Sequence, residues 1–280
     1  MTPLHRVANG AEATLWPNAA HWAGEPAAAI GRLVGDDAEA LTALLNSAVD
    51  ECAAGGVKWL LGPLDGDTWH SYRLAIEGAD RPAFILEPPV NWPLEAAFLA
   101  AGFTPILSYA STYGALAATP TAQIGSSRLT IRPFDPTAAE AELAVMHRLA
   151  VAAFERAPLF TPIDFATFAA LYRPILSRIL PELVLFAEDE AGMPVGFLFG
   201  MPDWAEGPQP KTVVLKTYAA LAPGAGALLA ASFHRAARKL GFEGVIHALM
   251  HADNLSLRHS RLLGGVPFRR YALFGRKLGR

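Results

Sequence analysis

The sequence predicts an α/β (α+β) protein made of two mixed-sheet halves, and three observations predict it. Residues 128–276 alternate β-rich runs with amphipathic helical runs in the order βααβββαβαβ. A small, polar, turn-rich stretch, GALAATPTAQIGSS at 114–127, separates that half from the one before it. The first half repeats the closing elements of the second in one register. The chain therefore divides into 1–118, a linker at 119–127, and 128–280.

The second half is justified element by element. Arg128 to Arg132 alternates as an opening strand. Asp135-Pro136 supplies a cap and a first-turn proline, and Leu143, Met146, Ala150 and Phe154 mark one helical face. Thr161-Pro162-Ile163-Asp164 starts a second helix whose stripe is Phe165, Phe168, Tyr172, Ile175 and Ile179, kinked at Pro174. Strands follow at Leu183–Glu188, Val195–Met201 and Lys211–Leu221. The next helix buries Leu229, Phe233, Ala236 and Leu240 and leaves His234, Arg235, Arg238 and Lys239 outside. A strand at Gly244–Met250, a helix from Asp253 to Gly264-Gly265, and a strand at Phe268–Phe274 close the half.

In the first half, Asp253, Gly264, Pro267, Tyr271 and Ala272 correspond at constant offset to Asn91, Gly102, Pro105, Tyr109 and Ala110. A strand (Ala27–Val34), a helix (Asp37–Ala54) and a strand (Val57–Leu61) come before them. This half is a partial copy, shortened at its N-terminus.

Composition narrows the function. The chain is 52% hydrophobic with mean hydropathy +0.26. The strongest candidate for a span, Thr217 to Phe233, is uncharged throughout but is broken by Pro223, Gly224 and Gly226, so no membrane span is expected. A net charge of −3 and no basic block argue against a nucleic-acid partner. Cys52 is the only cysteine, and the first residues lack a basic start with a long apolar run. A reducing, cytoplasmic setting is expected.

The most telling segment runs from Lys211 to Gly241. A β-rich strand breaks at Pro223, turns through Gly224-Ala225-Gly226 and enters an amphipathic helix. A helix start without a capping side chain leaves backbone donors and a positive dipole end for an anion. This strand, glycine turn and helix resemble the coenzyme site of the GNAT superfamily of N-acetyltransferases, and the element order over 128–276 is similar to the GNAT order. Of the family pattern Arg/Gln-x-x-Gly-x-Gly/Ala, only Gly224-x-Gly226 is present, with no arginine before it.

The resemblance implies two tandem GNAT-like (acyl-CoA N-acyltransferase) domains, the first truncated. It implies acetyl-CoA, or another acyl-CoA, as co-substrate, with its pyrophosphate at Gly224, Ala225, Gly226 and Ala227 and with Asn254 as a further contact. The pantetheine arm would lie along Thr217, Tyr218, Ala219, Ala220 and Leu221. The equivalent turn of the first half carries Asp36, Asp37 and Glu39, with Asp36 and Glu39 expected as a capping box, so that half should bind no coenzyme.

Acyl transfer to an amine needs a base and an acid. His251, at a strand exit, is the expected base, while His247 shares a face with Val245 and Leu249 and reads more as a hydrogen-bonded core histidine. The family's acid is a tyrosine four residues before the helix-ending glycine; here that position holds Ser260, and Phe98 in the first half. Lys216, inside an apolar strand, either binds a phosphate or carboxylate or pairs with an acid. Phe160 and Tyr172 are expected to shape the acceptor pocket. Trp69 and His70, in the loop Gly62–Arg73, form a lid or recognition element, or a loop anchored by Trp69. No metal site is expected.

The residues leave alternatives open. One is an N-acetyltransferase acting on a small amine or amino acid, as monomer or homodimer. Another is a non-catalytic acyl-CoA sensor, motivated by the missing tyrosine. A tRNA-dependent tandem transferase is a third, and no basic patch supports it.

Overall fold

The computed structural model describes residues 3–19, 21–78, 81–88, 91–119, 128–253 and 255–279. They group into two compact units: residues 1–110, 157–161 and 269–280, and residues 111–156 and 162–268.

Unit 1 holds β1 (Leu4–Ala8), β2 (Ala11–Trp16), β3 (Ala27–Val34), α1 (Ala38–Ala54), β4 (Trp59–Gly62), β5 (Leu74–Glu77) and α2 (Trp92–Ala100). The strand β6 (Thr104–Ala115) begins in this unit. Sequence patterning places nothing before Ala27, yet β1 and β2 form an antiparallel hairpin there. Its turn is Asn9-Gly10, both at positive φ (51° and 82°), the backbone a two-residue hairpin needs. Strand order within the unit is β1-β2-β3-β4-β12, and β5 also pairs with β12 (Val266–Lys277). The β3·β4 pair is parallel and the others antiparallel. Leu41, Leu44, Leu45, Ala48 and Val49 of α1 close the core over Leu15 and Ile30. Phe98 stacks on Phe274 at 5.2 Å.

Unit 2 holds β7 (Thr130–Pro133), α3 (Ala139–Phe154), α4 (Phe165–Tyr172), β8 (Val184–Glu188), β9 (Pro194–Pro202), β10 (Thr212–Ala220), α5 (Ala225–Lys239), β11 (Gly244–His251) and α6 (Leu255–Leu262). Its strands run in the order β11-β10-β9-β8-β7, parallel only between β10 and β11. The expected long second helix is α-helical only to Tyr172, and Pro174 falls in a 3-10 stretch, Arg173–Arg178, because proline removes an i to i−4 bond. Leu229 and Phe233 of α5 pack on Leu198, Val213 and Val245. A Cβ on Gly200 would stand 2.2 Å from the Phe233 ring, so the glycine is what lets α5 press onto β9. Two expectations on this helix fail: His234 is 1% exposed and Leu240, at the helix end, is 41% exposed.

The two halves share an element order. β3, α1, β4, α2 and β6 correspond to β10, α5, β11, α6 and β12. Both last strands are 12 residues long, and 266 minus 104 and 277 minus 115 are each 162, the offset of the sequence repeat. The compact units nevertheless do not follow the division at 119–127. Residues 269–280 group with the first unit and 111–118 with the second. Of the linker, residues 120–127 lie outside the described residues.

Candidate functional site

In unit 2, one strand loses a neighbour partway along its length. β10 and β11 pair from Thr212 with Gly244 to Leu215 with His247, and no further among the described residues. On its other side β10 stays paired with β9 as far as Ala220, after a bulge between Leu215 and Thr217 that displaces Lys216 from the ladder. The segment Thr217–Ala220 therefore carries a strand on one edge only.

That edge leads to the start of α5. Gly224 sits at the cap position in the left-handed conformation (φ 82°), which favours glycine, and no side chain caps the helix. Of the first three helical amides, Ala225 N–H donates to the Ala222 carbonyl at 3.2 Å. It is thus not available, contrary to the expectation of an entirely open turn. Gly226 N–H and Ala227 N–H meet no acceptor among the described residues, and Gly224 and Ala227 are exposed. Basic Arg238 and Lys239 close the other end of the helix, and no acid lies in its first turn.

Unit 1 treats the same elements differently. Asp37, not Asp36, caps α1, its Oδ2 accepting from Ala40 N–H at 2.9 Å. Glu39 only contributes a charge to the first turn. The pairing of β3 with β4 also stops early, at Ala29 with Leu61. Here the chain fills the opening itself: Leu64 N–H donates to the Ile30 carbonyl at 2.9 Å, and Asp65 Oδ1 accepts from Arg32 N–H at 2.7 Å. A Cβ on Gly31 would stand 2.2 Å from Asp65 Oδ1, which shows how tightly the segment is seated. Burial is the main cause of a raised Asp65 pKa, partly offset by the Arg32 amide. Nothing short-range in the sequence signals this plug, since the bonded residues are more than thirty positions apart.

The remaining expected site residues scatter. Ser260 is 2% exposed and its hydroxyl is committed to His247 Nδ1 at 2.6 Å and Thr112 Oγ1 at 2.5 Å. It is a core hydroxyl, not an acid presented to a groove. His247 Nε2 lies 2.9 Å from His234 Nε2, completing a buried chain of four polar side chains that spacing alone does not reveal. Burial pushes His247 down to about 3 and His234 to about 4, so both rings are neutral at pH 7. His251 Nδ1 accepts from Asp253 N–H at 3.2 Å. Asn254 lies outside the described residues. Lys216 and Thr217 are half-buried.

Tyr172 packs on Phe168 and Phe199 with ring centroids 4.8 and 5.1 Å apart, and burial pushes its phenol up to about 12. Phe160, Trp69 and His70 belong to unit 1, whereas Tyr172 belongs to unit 2. The Trp69 indole N–H donates to the Thr161 carbonyl at 2.8 Å and its ring lies 5.7 Å from Phe160. His70 Nδ1 is held by Asp67 Oδ1 at 2.8 Å. Among the described residues no group of three or more His, Cys, Asp or Glu side chains is placed to hold a metal ion, and no helix is long and apolar enough to cross a membrane.

No family model matches the sequence, and no curated protein matches it. Solved structures do. A GCN5-related N-acetyltransferase from Sphaerobacter thermophilus superposes with a TM-score of 0.58 at 14% identity, over 96% of this chain and 76% of that one. A tandem GNAT protein from the clavulanic acid biosynthesis pathway gives 0.53 at 12% identity, over 96% and 79%. A GCN5-related N-acetyltransferase from Anabaena variabilis gives 0.52 at 11%, over 98% and 57%. At these identities the likeness concerns the backbone alone. The chain has the fold of the GNAT superfamily, complete in element order in its second half and shortened in its first.

Proposed function

We propose that this protein is an acyl-CoA-dependent N-acyltransferase, with acetyl-CoA as acyl donor and a small amine or amino acid as acceptor. The single observation that carries the reading is the one-edged segment Thr217–Ala220 running into the uncapped start of α5. An extended amide-bearing arm can pair with such an edge as an added strand. Gly226 and Ala227 N–H are then the donors offered to a pyrophosphate, helped by the helix dipole. The small side chains Ala220, Gly224 and Ala227 allow close approach.

In the proposed reaction a neutral amine attacks the thioester carbonyl, and a β10 backbone N–H stabilises the oxyanion. His251 is the candidate base; freeing its Nδ1 from Asp253 N–H costs about 1 kcal/mol, the net worth of an ordinary hydrogen bond. With Ser260 buried, the departing thiolate takes its proton from solvent, which a thiol pKa near 8.5 allows. Lys216 is proposed to bind a phosphate or substrate carboxylate, with Tyr172 as an acceptor-side residue.

The absence of an exposed hydroxyl acid at 260, together with Phe98 fully buried at the equivalent place, favours one second reading: an acyl-CoA sensor that does no chemistry. A mass-spectrometric screen of amines with acetyl-CoA, with calorimetric titration of acetyl-CoA alone, separates the two. Acylated product that drops in His251→Ala and Lys216→Ala supports the enzyme. Binding with no turnover supports the sensor, and no binding removes both.

A further inference from the structure

A side chain reaches from the open edge of β10 toward α6. Tyr218 lies in the middle of the one-edged segment, past the last β10·β11 pair. Its ring runs beside the start of α5, so near that a Cβ on Gly226 would stand 3.3 Å from Tyr218 Cε2. Its hydroxyl then donates to Ser256 Oγ, in the first turn of α6, at 2.9 Å. One phenol thus links β10, the start of α5 and the start of α6, all within unit 2.

This gives Gly226 a second role. Any larger residue there forces the Tyr218 ring to give way, so the glycine that leaves an amide accessible is also the one that lets the ring lie over it. The ring is half-buried rather than locked in the core. Its hydroxyl is held by a neutral hydrogen bond, which is modest in net strength. A side chain in that state can leave its position without unfolding anything.

We propose that Tyr218 is the gate of the acyl-CoA groove: bonded to Ser256 it covers the free edge of Thr217–Ala220, and it swings off that edge when a ligand's pantetheine arm pairs there. The inference rests on the acyl-CoA reading above and adds a conformational step to it. A ligand that must displace the ring binds more weakly by the fraction of time the gate is shut. Sequence alone points to Tyr218 only as backbone; the side-chain role comes from Ser256, 38 residues away.

The test is acetyl-CoA binding, by calorimetry for affinity and stopped-flow for association rate, in wild type, Tyr218→Phe, Ser256→Ala and the double variant. Tyr218→Phe keeps the ring and differs by one oxygen, so the fold survives it; melting curves check this. Each single variant is expected to bind about fivefold faster and tighter, what one neutral hydrogen bond is worth. The double variant should equal the singles, since both break the same bond. Unchanged rates and affinities in both singles overturn the gate while leaving acyl-CoA binding intact. Weaker binding in Tyr218→Phe with Ser256→Ala unaffected also overturns it, making the hydroxyl a ligand contact. A wild type that binds no acetyl-CoA removes the acyl-CoA reading itself, a distinct result.

Discussion

The starts of α1 and α5 occupy equivalent places in the two halves and are chemically opposite. At α1 the Asp37 carboxylate takes the Ala40 amide, and Leu64 and Asp65 fill the gap where β3 and β4 part. At α5 no side chain caps the helix, and the gap beside β10 is crossed only by the Tyr218 phenol among the bonds described. The same backbone therefore supports two outcomes. A splayed strand pair needs something in its opening, because unpaired buried backbone groups are costly. Unit 1 satisfies that need with its own chain. Unit 2 leaves it to the Tyr218 side chain, and on the proposed reading to a ligand. The buried polar groups differ as well: unit 1 encloses the Arg269–Glu87 ion pair with Tyr271, and unit 2 a neutral imidazole pair.

Acid should separate the units most strongly. The folded pKa values of His234 (about 4, lowered chiefly by burial and then by Arg238) and His247 (about 3) lie below the ordinary value near 6.5. A depressed folded pKa contributes stability that is full above pH 6.5 and lost as pH falls toward 4 and 3. Urea unfolding of unit 2 should weaken by several kcal/mol over that window. Stability that is flat from pH 7 to 4 would mean the imidazoles are not buried as a neutral pair.

A smaller effect comes from making the α5 start resemble α1. Gly226→Asp places a carboxylate among the helix amides, where a second negative charge about 4 Å away costs about 4 kcal/mol near a protein surface. Acetyl-CoA affinity should fall by at least about 100-fold. Thermal stability should change little, since an acid in the first turn suits the helix dipole and the half-buried Tyr218 ring has to shift by only a few tenths of an ångström. Undiminished binding in this variant places the anion elsewhere.

The smallest expected effect is at Asp37. Asp37→Ala removes the α1 cap and should cost about 1 kcal/mol, lowering Tm by about 2–4 °C. It should create no second acetyl-CoA site, because Leu64 and Asp65 still fill the opening. A stoichiometry that rises to two per chain in calorimetry would show that the cap alone had excluded the ligand.

Legibility followed the range of the interaction. The strand–turn–helix around Gly224 and the 162-residue repeat were readable because period, glycine and offset are local or register properties. Asp37 rather than Asp36 as the cap was one residue out of reach, since either acid can cap and only the backbone path chooses. The Asn9-Gly10 hairpin was readable in principle from its turn dipeptide. His234 was misplaced because a histidine among Arg235, Arg238 and Lys239 looks like part of a polar face, whereas a partner on β11 draws it inward.

Sequence by itself determined the alternation of strands and helices, the partial repeat and the absence of a capping acid at α5, because each is written in neighbouring residues. Tertiary structure alone decided that Ser260 is sealed in a polar core, that Asp65 closes the first opening, that β12 joins unit 1, and that Tyr218 reaches Ser256. Those outcomes depend on which distant backbone arrives beside a side chain, and hydrogen bonds only a few ångströms long leave no periodic trace in a chain of 280 residues.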